Sequence, residues 1–251
     1  MTESVASNAT VAVERTALET LLLDLNNSHV SYDAAVKMLI GLLQPSPDFA
    51  PAVMRQRDQP YAGVHYGGAN SPYTIGGSGC LITAMAYSLN ALLQRDAYTP
   101  IDLQDALAAH GGYAADEHGV VCSVIYAKVA ELFPIVQFVD KIDTKGPDLP
   151  AGLLARIDAQ IASGLPVLCK VDNSPITGIQ QHWVALRARL PQDPSLPVRD
   201  YQIADSWWPD VDANGKPCLT TLLAHYPQTP NLSKTIEHAI EGVALYTRVA
   251  P

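Results

Sequence analysis

Apolar residues recur at helical spacing through the first half of the chain and at alternate positions through much of the second, and this change of period sets the expected order of elements. Up to Leu43 two helical patterns follow one another. The first is carried by Val11, Leu18, Leu21, Leu22 and Leu25; the second, by Ala34, Val36, Leu39, Ile40 and Leu43, has Ser31 placed to cap it. Gln44-Pro-Ser-Pro-Asp48 breaks the second, because proline removes a donor and restricts its predecessor. Residues 1–48 are therefore expected as an N-terminal helical hairpin, bracing the main domain or docking to a partner, and residues 49–251 as the main domain. The stretch from Phe49 to Pro72, rich in Pro, Gly, Tyr and Gln, reads as irregular structure leading to the turn Ile75-Gly-Gly-Ser-Gly79. Cys80 follows, at the head of a run to Asn90 that reads as a buried helix.

Thr99-Pro100-Ile-Asp102 is a strong helix start, with threonine as cap, proline at the first helical position and an acid in the first turn. His110-Gly111-Gly112 ends that helix. Val121, Val124, Ile125, Val129 and Leu132 predict another, closed by Phe133-Pro134. Leu153, Leu154, Ile157 and Ile161 predict a further one, stopped by Gly164. Four strands are then expected, over residues 165–171, 181–189, 200–205 and 242–249. Helices first and strands after argue for an α+β fold. The proline-bearing connection from Leu190 to Val198 suits a hairpin loop, so the second and third strands are expected as antiparallel neighbours.

That hairpin places two reactive residue types together. By the two-residue period, His182, Val184 and Leu186 share one face, as do Tyr201, Ile203 and Asp205. Opposed positions in a symmetric hairpin have a constant sum, so Leu186 opposite Tyr201 sets His182 opposite Asp205, with Cβ atoms about 5 Å apart. A carboxylate beside an imidazole holds one ring nitrogen and leaves the other to exchange a proton with a thiol. The plainer explanation is a cross-strand ion pair at a sheet end. Cys80 is the candidate thiol, because a helix start offers N–H groups and the positive end of the macrodipole, which favour thiolate and a developing oxyanion alike. Read blandly, it is a small buried hydrophobe.

Composition narrows the classes. A net charge of -9 and a pI near 5.1, with no basic cluster, argue against nucleic acid or an anionic membrane as partner. The four cysteines are far apart and form no CxxC pair, which disfavours a zinc ribbon and fits a reducing compartment. The first residues lack the basic and apolar regions of a signal peptide, and no apolar run reaches the ~20 residues of a membrane helix. A cytoplasmic location is expected, or a virion-associated one for a phage protein. Asp210-Val-Asp212-Ala-Asn214-Gly215 has the opening of a calcium loop, although Thr221 stands where a glutamate would complete it; a polar turn is the ordinary explanation. Trp183, Trp207 and Trp208 flank the His and Asp and either line a substrate cleft or belong to the core.

The ordered motifs Gly-Ser-Gly-Cys80, Thr99-Pro100-Ile-Asp-Leu, Gly111-Gly112-Tyr113, Ser163-Gly164-Leu-Pro166-Val167, His182-Trp183-Val184 and Ile203-Ala204-Asp205-Ser206-Trp207 resemble those of papain-like cysteine peptidases. The branch they most resemble is the bacteriocin-processing (double-glycine leader) peptidases and their stand-alone relatives in bacteria and phages. The resemblance covers roughly Tyr73 to Val249. It implies a papain-like fold with a helix-bearing half packed on a sheet, Cys80 as nucleophile, His182 as general base and acid, and Asp205 as the residue that orients His182. It implies hydrolysis of peptide or amide bonds without a cofactor, with peptidoglycan cross-links preferred over a peptide leader as substrate.

Three positions depart from the family pattern. Cys80-Leu-Ile replaces Cys-Gly-Pro, and Asp205-Ser206-Trp207 replaces Asp-Pro-Trp. The glutamine that such enzymes carry just before the cysteine, for the oxyanion, is absent; Thr74 or Ser78 stand in the region, and Gln56 or Gln59 could reach in from the loop. Losing one oxyanion donor costs ~100 to 1,000-fold in rate, so the alternative is a degenerate module of the same fold that binds or assembles through its N-terminal helices.

Overall fold

The computed structural model describes residues 49–144, 148–172, 182–190, 199–229 and 232–249. The helical hairpin expected over residues 1–48 lies outside them. The thiol-bearing segment begins where β1 (His65–Tyr66) pairs antiparallel with β2 (Tyr73–Thr74). Thr74 then caps a one-turn helix, α1 (Ile75–Ser78), its Oγ1 accepting the Gly77 N–H at 3.2 Å. Gly79 joins α1 directly to α2 (Cys80–Leu93), so the cysteine is the first residue of the long helix, as its sequence predicts.

The glycines of this turn act through space and not through unusual dihedrals. None of Gly76, Gly77 and Gly79 has a positive φ, so the turn does not draw on the conformations that only glycine reaches easily, as a glycine-rich turn would suggest. A Cβ on Gly76 would stand 2.6 Å from the Ala62 carbonyl oxygen, and one on Gly79 would stand 2.7 Å from that of Ile75. Backbone runs so close on both sides that only hydrogen fits.

α2 is buried almost all round, and its polar residues bond locally: Thr83 donates to Gly79 O at 2.9 Å and Ser88 to Ala84 O at 2.9 Å. α3 (Pro100–Ala109) has the expected start, a capping box in which Thr99 and Asp102 each accept the other's backbone N–H. Gly111, with φ +66, ends it. The helix expected from Val121 to Leu132 divides in two. Val121–Val124 is a strand, β4, paired with β3 (Tyr113–Ala115), and only Tyr126–Leu132 is helical, as α4. Asp116 makes the difference: its Oδ1 accepts the N–H groups of His118 and Val120, and with Gly119 at φ +78 it closes a hairpin that the apolar spacing does not reveal.

The second half is a six-stranded, wholly antiparallel sheet. Its strands are β5 (Val136–Asp143), β6 (Val167–Val171), β7 (His182–Arg189), β8 (Tyr201–Ala204), β11 (Thr220–Thr221) and β12 (Ile240–Arg248), in the order β11-β8-β7-β6-β12-β5. Between β8 and β11 a small hairpin, β9 (Asp210–Val211) with β10 (Pro217–Cys218), stands apart. The helix α5 (Leu153–Ala162) precedes β6, and the one-turn helices α6 (Leu222–His225) and α7 (Ile236–Ala239) follow β11. Both faces of the sheet are covered. Leu168, Trp183, Ala185, Ala244 and Tyr246 pack with α2, whereas Val184, Leu186, Ile203 and Val243 pack with Leu153 and Ile157 of α5 and with Leu222 and Tyr226. Burial on both sides explains why β6 reads Val-Leu-Cys-Lys-Val instead of alternating.

The fold is thus a mixed α+β arrangement, with a helical first half packed on an antiparallel sheet. No helix of the described residues is long and apolar enough to cross a membrane.

Two alanine substitutions test the account of the glycine turn. Gly76→Ala is expected to cost about 1–3 kcal/mol, because the clash is with backbone that cannot move aside. Gly77→Ala is expected to be neutral or stabilising by about 0.5 kcal/mol, since its Cβ would have no contact nearer than 3.5 Å. Urea unfolding of the two variants beside the wild type separates these outcomes.

Candidate active site

Cys80, His182 and Asp205 are brought together. His182 is the first residue of β7, beside Val171 of β6. Its Nε2 lies 2.8 Å from Asp205 Oδ1, and its ring makes a second hydrogen bond, to the side chain of Cys80. With Nε2 turned to the carboxylate, Nδ1 is the nitrogen left for the sulfur. The imidazole and the carboxylate are almost wholly enclosed, at 1% and 0% exposure.

The strand register differs from the constant-sum expectation. Leu186 stands opposite Ile203 and not Tyr201, and a bulge between Leu186 and Ala188 sets the pairing one residue further off nearer the loop, where Arg189 stands opposite Tyr201. Continued along the strands, this register would place His182 two positions past Asp205. The pair forms because β8 stops at Ala204 and Asp205 lies just beyond it, at a diagonal within reach of the ring.

Asp205 is held by more donors than the sequence suggests. The backbone N–H groups of Trp207 and Trp208 donate to Oδ1 at 2.8 and 3.0 Å, and the Tyr226 hydroxyl donates to Oδ2 at 2.7 Å. Burial alone would raise the carboxyl's pKa. The His182 charge and hydrogen bond, the Trp208 N–H and the Tyr226 hydroxyl outweigh it and hold the group down at about 2. Burial alone would likewise lower the imidazole. The Asp205 charge and hydrogen bond, with Cys80 beyond, reverse that and raise His182 to about 10. The pair is therefore an imidazolium and a carboxylate across the neutral range.

The carboxylate makes its own turn, so the proline expected after it is not needed. Serine at that place has a different use: Ser206 Oγ donates to Gln56 Oε1 at 2.8 Å, and the Gln56 N–H donates to Ser206 O at 3.1 Å. Gln56 is fully buried, and its Nε2 donates to the carbonyls of Ile75 and Gly76 at 3.2 and 3.3 Å. The glutamine from the loop does reach the site, but as a tie between the thiol-bearing turn and the acid-bearing loop. Gln59 is exposed, and Thr74 caps α1. Among the side chains considered for the oxyanion, Ser78 is the one that shares a cleft with Cys80.

That cleft has a volume of about 670 Å³, with Cys80, Ser78, Tyr66, Tyr126 and Trp183 among its lining residues. Trp183 lines this cleft and is at the same time buried in the core, at 6% exposure. Trp207 is buried away from it, its ring centroid 6.3 Å from that of His182 and 3.2 Å from the Arg57 guanidinium carbon, so it shields the pair. Trp208 is exposed. Cys122 also lines the cleft, but burial and a hydrogen bond to Asp116 push its thiol up, which keeps it protonated. Burial pushes Cys169 up as well.

At the calcium-like stretch, Asp212 Oδ1 accepts the N–H groups of Asn214 and Lys216 at 2.8 and 2.9 Å, closing the β9–β10 hairpin. Asp210 lies in β9, 3.7 Å from His225 Nε2. Among the described residues, no three or more His, Cys, Asp or Glu are grouped to hold a metal. One part of the site has no counterpart in the sequence reading: Tyr226 is far from Asp205 in the chain and carries no spacing signal. Gln56, considered there for the oxyanion, shows its actual partners only once the loops are folded.

The pH dependence follows from the two shifts. His182, raised, contributes stability that is full below its unfolded pKa of ~6.5 and is lost as pH rises through about 10. Asp205, lowered, contributes stability present above ~3.9 and lost as pH falls through about 2. The difference in unfolding free energy between wild type and a His182→Ala, Asp205→Ala double variant is expected to be greatest between about pH 4 and 6.5, and chemical denaturation across pH measures it. The sequence matches no protein-family model and no curated protein.

Proposed function

We propose that the chain is a thiol-dependent hydrolase of peptide or amide bonds, acting through Cys80, His182 and Asp205 on peptide cross-links of bacterial cell walls. The observation that carries this reading is the hydrogen-bonded series from Cys80 through His182 to Asp205, in which only Cys80 lines the open cleft. The finer fold assignment, papain-like, belongs to the same proposal. It is supported by the resemblance of the ordered motifs and by a helix-borne thiol facing a sheet-borne imidazole and its acid. The preference for cell-wall peptides rests on that resemblance.

The chemistry needs no cofactor. Cys80 Sγ, paired with the protonated His182 ring, attacks the carbonyl carbon of the scissile amide. The negative charge moves to the carbonyl oxygen, at the N-terminal end of α2, where the amides of the first turn and the macrodipole favour it. His182 gives its proton to the leaving nitrogen, the C–N bond breaks and a thioester remains. A water then gives a proton to His182 while its oxygen attacks the thioester, releasing a carboxylic acid and restoring the Cys80–His182 pair. Asp205 keeps the ring oriented and compensates its charge throughout.

A second reading, a binding or assembly module of the same fold, is favoured by one observation. Gln56 and Thr74, which could have supplied an oxyanion donor, are engaged inside the turn. The test compares wild type with Cys80→Ala on purified peptidoglycan and on peptides. Under the enzyme reading the wild type releases new amines, the variant is slower by at least about 1,000-fold, and iodoacetamide labels Cys80 faster than free cysteine near pH 6. Equal inactivity of the two, with labelling no faster than free cysteine, establishes the module instead.

A further inference from the structure

We infer that Tyr226 is a positioning residue of this site, its hydroxyl fixing the Asp205 carboxylate in the plane that serves His182. The inference rests on the proposed triad and adds a fourth member to it. Three donors converge on Asp205 Oδ1, namely His182 Nε2 and the N–H groups of Trp207 and Trp208. The Tyr226 hydroxyl, at 2.7 Å, is the donor to Oδ2. A carboxylate gripped at one oxygen still turns about its Cβ–Cγ bond; gripped at both, it cannot. The same tyrosine ring lies 6.1 Å from the His182 ring at 35°, so one side chain restrains both members of the pair.

Tyr226 is itself held firmly. Its N–H donates to Leu222 O at 2.9 Å, and its side chain is fully buried among Val184, Leu186, Tyr201 and Ile203. The next residues are fastened to the end of β6: Gln228 N–H donates to Asp172 O at 3.1 Å, and the Thr229 N–H and hydroxyl donate to the Asp172 carboxylate at 3.2 and 2.9 Å. A buried phenol needs an acceptor, and a merely structural tyrosine would be satisfied by any carbonyl. Here the acceptor is the acid of the pair. The titratable groups around this contact are His182 on β7, Cys80 on α2 and Cys169 on β6, with His225 adjacent in the chain and turned toward Asp210. Of these, His182 is the one hydrogen-bonded to Asp205, so a change at Tyr226 reads out through the pair.

The test is Tyr226→Phe, which keeps the ring and removes the donor. Asp205 loses one of the hydrogen bonds that favour its charged form, and the carboxyl then protonates at a higher pH. Followed through the ring ¹⁵N and downfield N–H resonances of His182, the acid edge at which the pair is lost moves up by on the order of one pH unit. Amide hydrolysis falls by about tenfold in kcat with KM little changed, and Tyr226→Phe has less than about a twofold further effect when added to Asp205→Asn. A lower melting temperature with an unmoved acid edge makes Tyr226 structural only and overturns the inference. Where Tyr226→Phe does not fold, 3-fluorotyrosine placed at position 226 keeps the ring and strengthens the donor, and the edge moves down instead; an unmoved edge again overturns it. The resonances report on Tyr226 and Asp205 whether or not any substrate is cleaved. Failure of the hydrolase reading, seen as a wild type no more active than Cys80→Ala, is therefore told apart from failure of this one.

Discussion

An imidazole and a carboxylate whose pKa shifts both favour the charged forms sit 2.8 Å apart with almost no exposure to water, and the rest of the second half is arranged so that this can persist. Taking either ion out of water costs several kcal/mol, and their mutual attraction repays it only where the remaining lone pairs are also satisfied. Asp205 meets that condition through two backbone amides supplied by its own turn and a phenol supplied from beyond α6. Trp207, stacked under Arg57, and Tyr226 enclose the pair on two sides. A site that merely needed stability would be better served by packed hydrocarbon. Under the proposed reading, a buried His182–Asp205 pair with a thiol at its open side has a chemical use that hydrocarbon packing would lack.

The thiol is delivered by a different part of the chain, and the two parts must keep register. Gln56 supplies the link. It grips Ser206 with both its backbone and its side chain, next to Asp205, and holds the Ile75 and Gly76 carbonyls with its amide, next to Cys80. The glycines complete the fit, because the loop backbone at Ala62 passes within contact of Gly76 and the α1 backbone within contact of Gly79. Loop, turn and sheet end are thereby fixed to one another without any of the four cysteines forming a disulfide.

Much of this was legible in the chain, and the failures have physical causes. The caps and stops around Thr99, Gly111 and Gly164 are local chemistry, so α3 and the end of α5 appear where expected. The four anticipated strands lie in the sheet. β5 was missed because it is an edge strand, with Val139 exposed and Asp140 interrupting the inward series Val136, Phe138, Ile142. The hairpin β3–β4 was hidden by valines whose spacing also suits a helix; the side chain of Asp116 decided between them. The pairing of His182 with Asp205 was read from an idealised register that the strands do not keep on either side of the bulge at Leu186–Ala188, and it survives because the acid lies past the strand end where the chain is free to turn. Long-range partners such as Tyr226 leave no trace in periodicity at all.

The departures from the peptidase pattern are better understood together than singly. Proline after the acid would stiffen the turn but has no hydroxyl, and the turn here is already closed by Asp205 Oδ1. Serine in its place gives Gln56 a partner, and Gln56 in turn fills the space beneath the glycine turn, with its amide facing the Ile75 and Gly76 carbonyls. A glutamine so engaged is not offered to an oxyanion in this conformation. Under the proposed hydrolase reading, the electrostatic part of catalysis would fall to the start of α2, a long, buried and regular helix whose first-turn amides and dipole favour negative charge. A helix start proposed for this task must be rigid, and Leu81 and Ile82, buried at 6% and 0% exposure where papain-like peptidases carry Gly-Pro, anchor it by packing.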